Sequence, residues 1–188
     1  MQIVIDLSEE DLEHFRDAMR RAKDAAKDLS AAEITDAAQK LFDDTQATRV
    51  PEFVSSRMKR LGTLIAMVHD TNWGISDAER QNILSALTYF SDPHDAIPDS
   101  IPVLGFLDDA IMIELVVEEL KHEIDAYDDF CVFRAQAVET QGATAGGDIK
   151  RNDWLEQRQN ELLERMRGRR SRDSGYGKRG GFSLFSVR

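Results

Sequence analysis

Apolar side chains recur at intervals of three and four along most of this chain, the spacing of a helix with one buried face. Over about 9–28, Leu12, Phe15, Met19, Ala22, Ala26 and Leu29 form such a seam. A second helix, about 31–46, turns Ile34, Ala38, Leu41 and Phe42 inward. A third opens at Pro51 and carries Phe53, Val54, Met58, Leu61, Leu64, Ile65 and Val68 until "DTNWG" breaks it. A fourth, about 77–90, presents Ile83, Leu84, Leu87 and Phe90. The longest predicted helix, about 106–139, is apolar almost all round at its centre, "AIMIELVV", which marks a surrounded element. A last helix, about 149–170, places Trp154, Leu155, Leu162 and Met166.

Local signals punctuate this pattern. "SEED" from Ser8, "SAAE" from Ser30 and "SDAE" from Ser76 are capping boxes, in which a Ser accepts from an early helix N–H and the acid three residues on reaches back. "QIVIDL" alternates like a strand but has no partner strand, so it reads as an extended lead-in. The expected fold class is all-α: a compact bundle of about five to six helices, with a Pro-rich corner before a long central helix. The expected organisation is a helical body over 1–140, a Gly-rich linker at 141–148, the C-terminal helix at 149–170 and a basic Gly/Arg/Phe tail at 171–188. The seam over 9–28 reads as a core-facing stripe in preference to a homodimer contact, because it spans only three heptads and two of its positions are Ala.

Composition agrees with a soluble globular protein, 41% hydrophobic and 31% charged over 188 residues. The net charge of -11 conceals a split. Residues 165–188 hold eight Lys/Arg against one Asp, a balance of +7, and the remainder stands at -18. The single cysteine, Cys131, excludes an internal disulfide and reads as a small buried hydrophobe with no basic neighbour to activate it. The acidic start "MQIVIDLSEEDL" lacks the features of a signal peptide, and no apolar run approaches the ~20 residues of a membrane span. The expected location is cytoplasmic.

The most unusual stretch is "DPHDAIPDSIPVLGFLDD", residues 92–109, with five Asp, three Pro and one Gly. Each Pro drives the residue before it out of the helical region, so the chain should run extended between two helices. Asp108 and Asp109 fall in the first turn of the following helix, where the dipole favours negative charge. The functional alternative is an oxygen-ligand site for Mg²⁺ or Ca²⁺ built from Asp92, Asp95, Asp99, Asp108 and Asp109. Capping is the preferred reading, because the spacing matches no calcium loop. The order D-P-x-D-x-I-P-D-x-I-P-x-x-G-x-x-D-D, matched from Asp92 to Asp109, resembles the signature of the YkvA-like family of small bacterial proteins, whose domain has no established function. The resemblance covers about residues 80–120 and implies no activity.

Other constellations are weaker. Glu119-x-x-His122 has the spacing of a di-iron pair, but the only comparable partner is Asp11-x-x-His14, so a charged, solvated helix face is preferred. No Ser-His-Asp, Cys-His, phosphate-loop or zinc pattern occurs, which favours a non-enzymatic protein without a cofactor. The basic end offers a docking arm for a protein partner. Arg169, Arg170, Arg172, Lys178 and Arg179 supply charge, and Phe182, Leu184, Phe185 and Val187 supply apolar contacts. Arg, Gly and aromatics in one tail also suit RNA, but the acidic body disfavours nucleic acid as a partner.

Overall fold

The computed structural model describes residues 8–91, 106–141 and 148–175, with side chains described for 8–91, 106–137 and 155–173. The lead-in at 2–7, most of the Asp-Pro corner and the end of the tail lie outside the described residues. Seven α-helices account for nearly all the described backbone, and no strand occurs among the described residues. They are α1 (Glu9–Ala25), α2 (Ala31–Ala47), α3 (Glu52–His69), α4 (Asp77–Leu87), α5 (Leu107–Glu119), α6 (Lys121–Gln141) and α7 (Asp148–Gly175). The all-α class is therefore correct, with seven helices where five to six were expected.

Two helix starts are set by residues three apart. Asp11 N–H donates to Ser8 Oγ at 3.2 Å, and Ser8 N–H donates back to Asp11 Oδ2 at 2.8 Å. Ser30 and Glu33 repeat the arrangement at 3.3 and 2.8 Å. Each box satisfies two N–H groups that the helix itself leaves without partners.

The described chain gathers into two compact units. The first holds α1, α2, α3 up to Val68, α4 and α5. A 3₁₀ segment, Thr88–Ser91, extends α4 and packs against α1 and α2. Three helices supply its fully buried side chains: Val54, Met58, Leu61 and Leu64 from α3, Ile83 and Leu87 from α4, and Met112, Ile113 and Val116 from α5. Gly62 lets α2 approach closely, since a Cβ there would lie 3.1 Å from the Phe42 ring. One charged pair crosses this unit: Arg57 Nε donates to Glu114 Oε2 at 3.0 Å, joining α3 to the one acid in the apolar centre of α5.

The α1 seam is only partly core. Leu12, Ala22 and Ala26 are buried, Phe15 and Met19 are half-buried, and Leu29 is exposed. Likewise Ile34 and Ala38 are buried on α2, while Leu41 and Phe42 are half-buried.

The second unit comprises residues 69–76 with α6 and α7. The two helices form an antiparallel pair: Arg170 meets Glu123 near one end, and Arg158 lies over Phe133 towards the other. Leu162, Leu163 and Met166 of α7 are buried, as are Ile124, Tyr127 and Phe130 of α6.

Two expectations are corrected here. The predicted helix over 106–139 is two helices, parted at Leu120. No Gly or Pro marks that point, so propensity does not make the break; α5 is buried on nearly every side, whereas α6 keeps an exposed face. The longest helix is α7, 28 residues, which runs through Gly175 and takes Arg172 and Asp173 into its last turns.

Candidate functional site

Polar side chains concentrate in the second unit, on one line along α6. Glu123, Tyr127, Cys131 and Arg134 are spaced by 4, 4 and 3 residues and so share a face. Two groups of contacts form there.

The first ties the turn after α3 to α6. Asp70 caps its own turn, accepting from Asn72 N–H at 3.0 Å. Its other oxygen, Oδ2, accepts from Tyr127 Oη at 3.1 Å and from Arg134 Nη1 at 2.6 Å. Arg134 also reaches Cys131 Sγ at 3.7 Å, and its guanidinium lies 5.2 Å from the Phe130 ring centroid. Beneath it the fully buried Trp73 packs at 5.1 Å on Phe130 and 5.6 Å on Tyr127. Gly74, at φ 59, allows the turn to pass close to α7, where Gln159 Nε2 donates to Trp73 O at 2.6 Å. Burial, then the Cys131 thiol and the Asp70 charge, push the Tyr127 phenol far above its usual range. Burial works against the charge on Arg134, but Asp70 outweighs it and raises the guanidinium further. Tyr127 is therefore a neutral donor and Arg134 a permanent cation. Both donate to the one Asp70 carboxylate, and Arg134 reaches Cys131 as well.

The second group joins the start of α6 to the end of α7. Arg170 Nη1 donates to Glu123 Oε1 at 2.7 Å, and Glu123 is only 2% exposed. Glu123 Oε2 is buried without a hydrogen-bond partner among the described residues. His122 Nε2 lies 2.7 Å from Asp173 Oδ2, with Lys121 Nζ at 3.7 Å. The hydrogen bond from His122, then the charges of His122 and Lys121, hold the Asp173 carboxyl below its ordinary value.

The residues singled out in the sequence fall as follows. Asp108 and Asp109 are buried, at 2% and 7% exposure, in the first turn of α5. Asp92, Asp95 and Asp99 lie outside the described residues, and among the described residues no three His, Cys, Asp or Glu are grouped to hold a metal ion. Arg169 and Arg172 are exposed and carry no ion pair among the described residues, whereas Arg170 is engaged by Glu123. Lys178, Arg179, Phe182, Leu184, Phe185 and Val187 lie outside the described residues.

Three readings change. His122 is not on a solvated face; its side chain is 14% exposed and paired with Asp173, while His14 is exposed as expected. Glu119 closes α5 and His122 stands in the first turn of α6, so the two fall on different helices. Cys131 does have a basic neighbour, Arg134, and is half-buried. Asp70, Glu123, Tyr127 and Arg134 carry the polar contacts of this unit and were missed. The only local signals are the Asx turn at Asp70 and the Cys131–Arg134 spacing.

Against known proteins, residues 82–115 match a family described as "Protein of unknown function (DUF1232)". This segment runs from α4 across the Asp-Pro corner into α5. No curated protein and no solved structure gave a match.

Proposed function

We propose that the chain is a non-enzymatic helical interaction protein of the YkvA-like kind, which docks a protein partner through its C-terminal helix and basic, apolar tail. The observation that carries this reading is the state of α7. Its apolar residues Leu162, Leu163 and Met166 are already buried, and its last turns still present Arg169 and Arg172 to solvent with no ion pair among the described residues. A helix whose described apolar residues are already packed, continued by "GGFSLFSVR", has charge and apolar groups to offer elsewhere. Asp70, Glu123, Tyr127 and Arg134 agree with the same reading, since their bonds hold α6, α7 and the 69–76 turn together. The test is affinity capture from nuclease-treated native lysate, followed by reconstitution with the purified partner. Substituting Phe182, Leu184 and Phe185 by Ala should abolish the reconstituted complex and leave the circular dichroism spectrum unchanged. A complex of undiminished affinity would refute docking by the tail.

Burial of Asp108 and Asp109 favours a second reading, a Mg²⁺- or Ca²⁺-dependent enzyme or sensor at the Asp-Pro corner. It predicts a saturable rise in melting temperature with either ion, removed by Asp95→Asn with Asp99→Asn. No rise would exclude it. Association of RNA with the tail predicts nucleic acid that copurifies at low salt and is lost steeply as salt increases.

A further inference from the structure

We infer that the α6–α7 pair is a self-association surface, and that its occupant is the same pair of helices in a second copy of this chain. Two complementary exposed stripes carry the inference. On α6, Asp125, Asp129 and Val132 follow one another at spacings of 4 and 3, so they share one face. Neither aspartate has an ion pair among the described residues, where Val132, 57% exposed, is one of two large hydrophobic side chains exposed. On α7, Arg165, Arg169 and Arg172 follow at spacings of 4 and 3. Arg165 is bonded to Glu161 on its own helix at 2.7 Å; Arg169 and Arg172 carry no ion pair among the described residues.

The register of the pair makes these stripes fit each other between copies. Glu123 meets Arg170 and His122 meets Asp173, so Asp125 lies at about the level of Arg169 and Asp129 at about that of Arg165. A two-fold axis running along the helices preserves level and sets α7 of one copy antiparallel to α6 of the other. Asp125 and Asp129 then face Arg172, Arg169 and Arg165 of the second copy, and the symmetry makes each contact twice. Val132 lies one turn further along, beside these charges. The acidic body and the basic end of the chain, -18 against +7, supply the same complementarity at long range. Exposed pairs are individually weak and screened by salt, so the dimer belongs to low ionic strength. It needs neither an α1 seam contact nor the apolar end of the tail, and it competes with a docked partner for Arg169 and Arg172.

Sedimentation velocity on the full chain tests this. The expected result is a monomer–dimer equilibrium at low salt, whose dissociation constant rises roughly tenfold or more in 0.5 M salt. Arg169→Glu with Arg172→Glu should be monomeric, as should Asp125→Arg with Asp129→Arg. An equimolar mixture of the two charge-reversed proteins should dimerise again, because each supplies the charge the other has lost. Circular dichroism confirms that both are folded. A wild-type chain that stays monomeric at low salt overturns the inference. So does a dimer that either reversal leaves intact, or a mixture that does not recover association.

Discussion

At the scale of the residue, Asp70 and Glu123 decide most of the second unit. Asp70 holds a phenol and a guanidinium with one oxygen, and hydrogen bonds involving charged groups contribute about 1.5–3 kcal/mol. Asp70→Ala should therefore lower stability by about 2–3 kcal/mol in urea unfolding followed by circular dichroism. Asp70→Asn should lower it by less, because the amide oxygen still accepts. Glu123 is the converse case, a buried carboxylate whose compensation comes from outside. Arg170→Ala leaves that charge without its cation and should cost about 1–3 kcal/mol, below the value for a fully buried pair because Arg170 is 44% exposed. Glu123→Gln in the same background should recover part of the loss, since the group left behind is neutral. Equal stability of the single and double variants would show that the pair is not coupled. Neither acid stands out in the sequence. Asp70 follows a helix end like any turn residue, and its partners are 57 and 64 positions away.

At the scale of the element, local chemistry and tertiary contacts divide the work. The boxes at Ser8 and Ser30 are complete within three residues, so the sequence predicted both helix starts correctly. The turn after α3 was also legible from "DTNWG", but not what it touches. Gly74 has φ 59, and a Cβ there would collide with the Gln159 side chain. Gly74→Ala should destabilise the protein by about 1–3 kcal/mol. Amide exchange should quicken first in 69–76 and in α7 around Gln159, the segments that the turn holds. An unchanged exchange pattern would show that the turn is not a support for α7. The parting of α5 from α6 was not legible, because the sequence around Leu120 is helix-forming on both sides.

At the scale of the whole molecule, charge governs the response to pH. Asp11 is held below the ordinary 3.8 by its hydrogen bond with Ser8, and Asp173 by its bond with His122. Glu33 is held below 4.5 by Ser30, and Glu161 by Arg158. A carboxyl whose folded pKa is depressed adds stability that is complete above its unfolded value and disappears as pH falls through the folded one. The melting temperature should thus be nearly constant down to about pH 5 and fall steadily from there to about pH 3. Ser8→Ala combined with Ser30→Ala should lower the plateau and flatten the fall, because two of the depressed carboxyls then return towards their ordinary values. A fall of unchanged steepness would separate the caps from the acid response.

The helical class, the apolar faces of α3, α4 and α5 and the two capping boxes were determined by the sequence itself. Each rests on contacts within a few residues, or on a periodicity that any partner surface would satisfy. The first turn of α5 was equally legible from Asp108 and Asp109, which the helix dipole places where they stand. Only the tertiary structure decided that Phe15 and Met19 stay half-exposed, that α6 leaves α5 at Leu120, and that Asp70, Glu123, Tyr127 and Arg134 are the groups on which the second unit depends. The last of these rests on pairings between side chains about fifty or more positions apart. A carboxylate carries the same local signal whether it ends in water or against a guanidinium, and burial alone distinguishes the two.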